Sequence, residues 1–195
     1  MTDQATVAKL IILSGPSGVG KSTVLKRVLE RFPEHLRLSV SATTRPARPG
    51  EVDGVDYYFL SPEEFQRRRH AGDFLECFEV FGHGHWYGTP LEEVRSSEHD
   101  GKWVILDIDV AGATKVRNLF PDAPTIFLRP SCEEELERRL RARATESEEA
   151  IGRRLEVARR ELVRAKEYQF QVVNDTVDQA VQQIIEILAN QGIVK

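Results

Sequence analysis

The chain has 195 residues and a formal net charge of −4, and its composition is 41% hydrophobic and 30% charged. These values are typical of one water-soluble domain, and no apolar run reaches the about 20 residues that a membrane-spanning helix needs. The acidic balance disfavours nucleic-acid binding and favours a small-molecule partner. The N-terminal segment lacks the features of a secretory signal, and Cys77 and Cys132 form no metal or disulfide motif, which predicts a cytoplasmic protein with two reduced thiols.

The first predicted elements are a strand and a helix joined by a glycine-rich loop. An apolar run predicts a strand over Lys9–Ser14, and apolar residues at helical spacing predict a helix over Lys21–Phe32. The loop between them, GPSGVGKS, matches the pattern GxxxxGK[ST] of nucleotide-binding loops. Its glycines let backbone N–H groups face phosphate oxygens at the positive end of the helix. The alternative is a glycine-rich turn with a surface lysine, which the flanking strand and helix disfavour.

Nine consecutive residues of this region are predicted to bind ATP. They are Gly15, Pro16, Ser17, Gly18, Val19, Gly20, Lys21, Ser22 and Thr23. Lys21 is the predicted catalytic lysine, because its ammonium group neutralises the β- and γ-phosphates. The Ser22 hydroxyl is predicted to coordinate Mg²⁺ that bridges those phosphates. The loop identifies a phosphate donor and leaves the acceptor open, since hydrolases, motors and kinases share it.

Strand and helix signals alternate through most of the remaining chain. Further strands are predicted at Leu36–Ser41, Lys102–Asp107, Pro124–Leu128 and Phe170–Val173. Helix starts, each with a hydroxyl cap and a glutamate three residues later, are predicted at Ser61, Thr89 and Ser131. The alternation predicts an α/β fold with a parallel sheet flanked by helices.

Residues 42–87 depart from this alternation. The segment begins with proline, glycine and arginine and continues with two short aromatic strands, predicted at Tyr57–Leu60 and Phe74–Phe81. This composition predicts a small β-rich lobe inserted into the parallel-sheet fold.

Two arginines in the first part of this lobe are candidates for binding a second phosphate. Arg45 and Arg48 lie three residues apart on a proline-stiffened segment, and guanidinium groups suit phosphate oxygens. Tyr57 and Tyr87 would add phenolic donors. The alternative is an ordinary basic surface loop, because exposed arginine is common.

An aspartate ends the predicted strand at residues 102–107. Asp107 follows an apolar run, as does the carboxylate that orients Mg²⁺ in proteins with this type of phosphate loop. Asp109 follows two residues later on the same face. The alternative for Asp107 is a cap on the next helix.

The segment Arg138–Arg154 is dense in arginine, and further arginines follow it. Arg159, Arg160 and Arg164 share a predicted helix with Glu156 and Glu161. For this group of charges the sequence predicts a solvated face held by salt bridges, without a role in binding.

Motifs along the chain, taken in order, resemble those of guanylate kinases. They are GPSGVGKS, SATTRPARPGEVDGVDYYF, FLECFEVFG, WYGTP, ILDIDVAGA, RRLRARATESEEAIGRRL and VVND, and the similarity covers residues 9–188. The resemblance implies transfer of a phosphate from ATP to GMP or dGMP, with ATP and Mg²⁺ required. It also implies a core over residues 1–41, 88–138 and 156–195, a GMP-binding lobe over residues 42–87 and a helical lid over residues 139–155.

The resemblance also assigns residues at each part of the site. Positions that hold the GMP phosphate in the family correspond to Ser41, Arg45, Arg48, Tyr57 and Tyr87. Those around the guanine correspond to Glu76, Thr89 and Asp109. The catalytic lid arginines correspond to Arg139, Arg143 and Arg154, and Asn174 matches a position beside the adenine of ATP. For Asn174 an ordinary turn after a strand is the alternative.

Chemistry supports the assignment of Glu76. Guanine presents N1–H beside an exocyclic amine, and one carboxylate accepts from both, whereas adenine would leave a desolvated carboxylate unpaired. A solvated strand residue is the alternative for Glu76, and a helix cap is the alternative for Thr89.

Two departures from the family pattern concern the lobe. The loop containing His83-Gly84-His85 is about two residues longer than in many relatives, and no third metal ligand accompanies its histidines. Ala42 stands where some relatives have histidine. Two other functions stay open: a noncatalytic interaction module, and a kinase for another phosphorylated acceptor such as a ribose bisphosphate.

Overall fold

The computed structural model describes residues 9–79, 84–95, 101–142 and 148–195. Its strands are β1 (Leu10–Ser14), β2 (Leu36–Leu38), β3 (Ala42–Thr43), β4 (Tyr58–Phe59), β5 (Phe74–Glu79), β6 (Trp86–Pro90), β7 (Trp103–Asp107), β8 (Thr125–Arg129) and β9 (Phe170–Val173). Its helices are α1 (Lys21–Arg31), α2 (Pro62–Ala71), α3 (Leu91–Arg95), α4 (Val110–Leu119), α5 (Glu133–Ala142), α6 (Glu148–Val163) and α7 (Val177–Asn190), with a 3₁₀ helix at Arg164–Glu167. None of the helices in these ranges is long and apolar enough to cross a membrane.

A five-stranded parallel sheet forms the centre of the molecule. Its strand order is β2-β7-β1-β8-β9, so β1 lies between the strands that precede α4 and α5. Ligands of open α/β sheets bind at the carboxyl ends of such strands, where the order of the strands reverses direction. The predicted α/β fold is confirmed, and the predicted main-sheet strands are present, although β2 ends at Leu38 instead of Ser41.

Both faces of this sheet are buried. Leu10 and Ile12 of β1 pack with residues of α4, whereas Ile11 and Leu13 pack with residues of α1 and α7. This division follows from the two-residue period of a strand, and it explains why β1 is apolar at every core position. The ends of the strands are thereby held rigidly between two helical layers.

The inserted lobe is a second, mixed sheet with the strand order β4-β3-β6-β5. Its own small core contains Ala42, Phe65 and Phe74, with Trp86 packed against them. The predicted helix start at Ser61 is confirmed, because the Ser61 hydroxyl accepts a hydrogen bond from the Glu64 N–H. Strands β3 and β6 were not predicted, since neither two residues nor a sequence interrupted by glycine shows a clear alternation.

Helices α5 and α6 pack on each other through a separate apolar cluster. Its members are Leu136, Leu140, Ile151, Leu155 and Ala158. Leu140 also lies over the phosphate loop, where a Cβ at Gly18 would come within 2.7 Å of its Cδ2. This helical pair therefore covers the loop directly.

Candidate functional site

The glycine-rich loop connects β1 to α1 in a conformation that requires glycine. Gly20 precedes α1 with φ of 97°, in the left-handed region. Gly15 has φ of 148°, and a Cβ there would lie 2.2 Å from the carbonyl oxygen of Leu128. The close packing of the loop on β8 explains the glycine at this position.

Side chains from distant parts of the chain brace the same loop. The Val19 carbonyl accepts from Asn174 Nδ2 at 2.7 Å and from Arg139 Nη1 at 3.1 Å. Arg154 Nη2 donates to Ser17 Oγ at 2.6 Å. Lys21 Nζ donates to the carbonyl of Gly15 at 2.7 Å. Two of the three predicted lid arginines therefore contact the loop, while the third, Arg143, lies outside the described residues.

A cavity of about 310 Å³ opens beside this loop. Loop and adjoining α1 residues on its wall are Gly15, Ser17, Gly18, Gly20, Lys21, Ser22 and Thr23. The other walls come from both sheets and from α6: Ser41, Arg48, Tyr57, Glu76, Phe78, Tyr87, Gly88, Asp107, Ile108, Asp109 and Glu161. Most residues that the sequence assigned to separate parts of the site thus share one space.

Arg45 adjoins the cavity through its contact with the lining residue Tyr87. Its guanidinium donates to both carboxylate oxygens of Glu51, at 2.8 and 2.9 Å, and its Nε donates to the Tyr87 hydroxyl at 3.1 Å. This pairing raises the pKa of Arg45 and lowers the pKa of Glu51. Glu51 was not predicted, and its two oxygens bind the Arg45 guanidinium as phosphate oxygens would. The sequence feature that could have indicated this pair is an acidic residue six positions after Arg45.

Arg48 and Tyr57 line the cavity itself. Burial raises the pKa of the Tyr57 hydroxyl, and the nearby charge of Asp107 contributes in the same direction. Tyr57 therefore stays a neutral hydrogen-bond donor at physiological pH.

Glu76 of β5 lines the cavity on the side of the lobe sheet. It is buried, and its Oε1 accepts from the Thr89 hydroxyl at 2.7 Å and from the Thr89 N–H at 2.9 Å. Burial raises the pKa of Glu76 to about 7 despite these hydrogen bonds. A solvated strand residue is thus the wrong interpretation of Glu76. The cap expected at Thr89 is also wrong, because α3 begins at Leu91 and the hydroxyl is used by Glu76.

The N-terminus of α4 approaches Glu76 closely. Asp109 is the N-cap of this helix, and its Oδ1 accepts from the Gly112 N–H at 2.7 Å. A Cβ at Gly112 would lie 2.9 Å from Glu76 Oε2 and 3.3 Å from Asp109 Oδ1. Gly112 is a second residue that was not predicted, and its absent side chain makes room for both carboxylates.

Asp107 ends β7 and lines the cavity near Lys21. Burial raises the pKa of Asp107, and the positive charge of Lys21 partly offsets that effect. The alternative that Asp107 caps the next helix is wrong, since Asp109 does so. The Asp107 carboxylate is therefore available to face the cavity.

In the charged stretch formed by α6 and the 3₁₀ helix that follows it, the environment of one residue differs from the prediction. Arg160 pairs with Glu156, Arg159 pairs with Glu133 and Arg164 pairs with Glu167, so these arginines are held by salt bridges. Glu161 was placed on the same solvated face, but it lines the cavity, and burial raises its pKa to about 7. Glu161 lies on the side of α6 that faces the cavity, and the charge pattern of the sequence does not show which side that is.

The remaining predictions concern Asn174, the cysteines and the histidine loop. Asn174 is buried at the end of β9, and its side chain contacts the phosphate loop. Cys77 and Cys132 are free thiols. His83 lies outside the described residues. Within the described ranges, no group of three or more His, Cys, Asp or Glu residues is arranged to hold a metal ion.

Comparisons with known proteins agree with this geometry. The family model for guanylate kinase matches residues 7–191. The guanylate kinase of Rhodopirellula baltica is 52% identical over 97% of this chain and 91% of its own length, and that of Nostoc sp. is 51% identical over 90% and 87%. The crystal structure of guanylate kinase from Anaplasma phagocytophilum has a TM-score of 0.75 and 33% sequence identity, and the match covers 95% of this chain and 87% of that one.

Proposed function

The chain belongs to the guanylate kinase family, and on that premise we propose how its residues divide the transfer of a phosphoryl group from ATP to GMP. One observation carries the proposal: the phosphate loop and the buried carboxylate of Glu76 line the same cavity. A kinase that transfers a phosphoryl group between two nucleotides needs this arrangement, because the donor and acceptor phosphates must meet away from water.

We assign the acceptor phosphate to the wall formed by Ser41, Arg48, Tyr57 and Tyr87. Arg48 supplies positive charge, and the hydroxyl groups donate hydrogen bonds. Arg45 orients Tyr87 and exchanges its partner Glu51 for the phosphate when GMP binds. The contacts of Arg45 support this exchange, since Glu51 already presents two oxygens to its guanidinium.

We assign the guanine to the end of the cavity at Glu76 and Asp109, with Thr89 holding Glu76 in place. The hydrogen bonds from Thr89 occupy Oε1 of Glu76 and leave Oε2 facing α4 and the cavity. The ionised carboxylate accepts from N1–H and the exocyclic amine of guanine, and adenine offers no such pair. The guanine thereby selects the acceptor.

The donor ATP is assigned to residues 15–23, with Lys21 on its β- and γ-phosphates. Asn174 and Arg139 support this assignment, because both hold the Val19 carbonyl and so fix the shape of the loop. The resemblance places Asn174 beside the adenine. Its contact with Val19 indicates that it positions the loop as well.

The oxygen donors Ser22 and Asp107 fit Mg²⁺, which prefers oxygen ligands and keeps several waters and phosphate oxygens around it. A site of this kind needs few protein ligands, so it is compatible with the small number of acidic side chains at this end of the cavity. When bound, the ion would neutralise charge on the β- and γ-phosphates.

The lid supplies the remaining positive charge. Arg154 contacts Ser17 in the loop, and we propose that Arg154, Arg139 and Arg143 stabilise negative charge on the transferring group. No general base is required, because the GMP phosphate is already anionic. The proposed boundaries are a core over residues 1–41, 88–138 and 156–195, a lobe over residues 42–87 and a lid over residues 139–155.

The proposed function is tested by measuring ADP release with GMP, dGMP, AMP, UMP and ribose bisphosphate as acceptors. The chain should use GMP and reject AMP and UMP. Lys21→Met should reduce kcat at least about 1000-fold without loss of folding, because its ammonium stabilises transferring charge. Lys26→Met is the matched control, since Lys26 is exposed on the same helix. Normal turnover by Lys21→Met would contradict the mechanism.

A further inference from the structure

Glu161 is the α6 residue that reaches the cavity wall. It lies seven residues, or two helical turns, after Arg154, so the two side chains share one face of the helix. The hydrogen bond from Arg154 to Ser17 turns this face toward the phosphate loop. Glu156, Arg159 and Arg160 lie on the exposed side of the same helix. The position of Glu161 is therefore set by the packing of α6 against the rest of the molecule.

The Glu161 carboxylate has nearby charges and no hydrogen-bond donor among the described residues. Lys21 favours its ionised form and Asp109 opposes it, while burial raises its pKa to about 7. No hydrogen bond from the described residues offsets the effect of burial on this carboxylate. A ligand that offers neutral donors would satisfy it.

Glu161 shares the cavity wall with Lys21 and Asp109, and the charges of both act on it, which indicates which part of a ligand lies there. Under the proposed function, Lys21 binds the terminal phosphates of ATP, which the GMP phosphate must approach, and Asp109 marks the guanine. The ribose of GMP connects those two groups and must cross the space between them. A phosphate beside Glu161 would be repelled by its charge, whereas a ribose hydroxyl is a neutral donor that carboxylates bind well in nucleotide sites.

We infer that Glu161 binds the acceptor nucleotide by accepting a hydrogen bond from one of its ribose hydroxyls. This inference rests on the proposed placement of GMP. It brings a residue of α6 into contact with the acceptor, in addition to the arginines proposed to face the transferring phosphate.

The test compares the affinities of GMP, 2′-deoxy-GMP and 3′-deoxy-GMP for the wild-type chain and Glu161→Ala, measured by calorimetry without ATP. The wild type should bind at least one deoxy analogue about tenfold more weakly than GMP, as expected for a lost hydrogen bond to a charged group. Glu161→Ala should bind GMP and that analogue equally. Glu161→Gln keeps an acceptor oxygen and should retain part of the preference.

Glu156→Ala is the matched control, because Glu156 is exposed on the same helix and should leave all three affinities unchanged. Equal weakening of GMP and both analogues by Glu161→Ala would overturn the inference, as would a loss confined to kcat that depends on Mg²⁺ concentration. Failure of the proposed function is recognised separately, because the wild type would then release no ADP with GMP.

Discussion

At the scale of single residues, the proposed contact between Glu76 and guanine depends on the protonation of Glu76. Only the ionised carboxylate accepts both guanine donors, and its pKa is raised from 4.5 to about 7. GMP affinity should therefore rise with pH, by about tenfold between pH 6 and pH 8, as the carboxylate loses its proton. Calorimetric titrations at constant ionic strength measure this dependence.

Glu76→Gln is the control for that titration, because glutamine has no ionisable group at this position. The GMP phosphate itself titrates in this range, and its contribution appears equally in the variant. The ratio of wild-type to variant affinity should increase with pH. A ratio that stays constant would show that Glu76 does not titrate on binding.

A glycine in α4 provides a second residue-level prediction. A methyl group from Gly112→Ala would displace the Glu76 carboxylate, from which the Cβ would lie 2.9 Å. We expect GMP affinity to fall roughly 10- to 100-fold, since small displacements at a site of this kind are costly. Binding of ATP alone should not change.

Gly152→Ala is the matched substitution, because Gly152 lies in α6 and a Cβ at this position would meet no atom within 4 Å. It should stabilise the protein by about 0.5–1 kcal/mol, the cost of glycine relative to alanine in a helix, and leave GMP affinity unchanged. Thermal unfolding and calorimetry on both variants test the pair. Similar GMP affinities for the two alanine variants would refute the steric explanation.

At the scale of elements, the arginines of helix α6 lie in two different environments. Arg154 contacts the phosphate loop, whereas Arg160 is exposed and pairs with Glu156. Arg154→Met should lower kcat at least about 100-fold through lost charge stabilisation. Arg160→Met should change kcat less than about twofold, because exposed salt bridges contribute little. Steady-state kinetics on the two variants tests this difference. An equal loss of kcat in both variants would contradict the proposed role of Arg154.

Elements with a strong local pattern could be predicted from the sequence. The loop at residues 15–22 and strands such as β9 follow from spacing and composition. Strand β3, by contrast, has two residues and exists because β6 and β4 pair with it. Such pairing depends on distant residues, which no local pattern reports.

The same distinction applies to the site. Lys21 was found because its motif has a known chemistry, whereas Glu76 was found through the resemblance to guanylate kinases. Glu161 was placed among surface charges, since its neighbours in sequence are charged and its burial comes from packing of α6 on the core. Gly112 was missed because its importance lies in the space that it leaves for Glu76.

At the scale of the whole molecule, two sheets and helix α6 contribute to one cavity. The parallel sheet supplies the phosphate loop and Asp107, the lobe sheet supplies Glu76 and Tyr87, and α6 supplies Glu161. Each of these parts has its own apolar cluster. Bringing the donor and acceptor together therefore depends on how the parts pack, and in the proposed function the selection of GMP depends on one buried carboxylate.

The selection of GMP by Glu76 is tested most directly by measuring kcat/KM for GMP and for AMP in the wild type and in Glu76→Gln. We expect a strong preference for GMP in the wild type and at least about a 100-fold loss of kcat/KM for GMP in the variant, with no comparable loss for AMP. ATP affinity should stay the same, because the phosphate loop is unchanged. An unaltered preference for GMP in Glu76→Gln would contradict the role of this carboxylate.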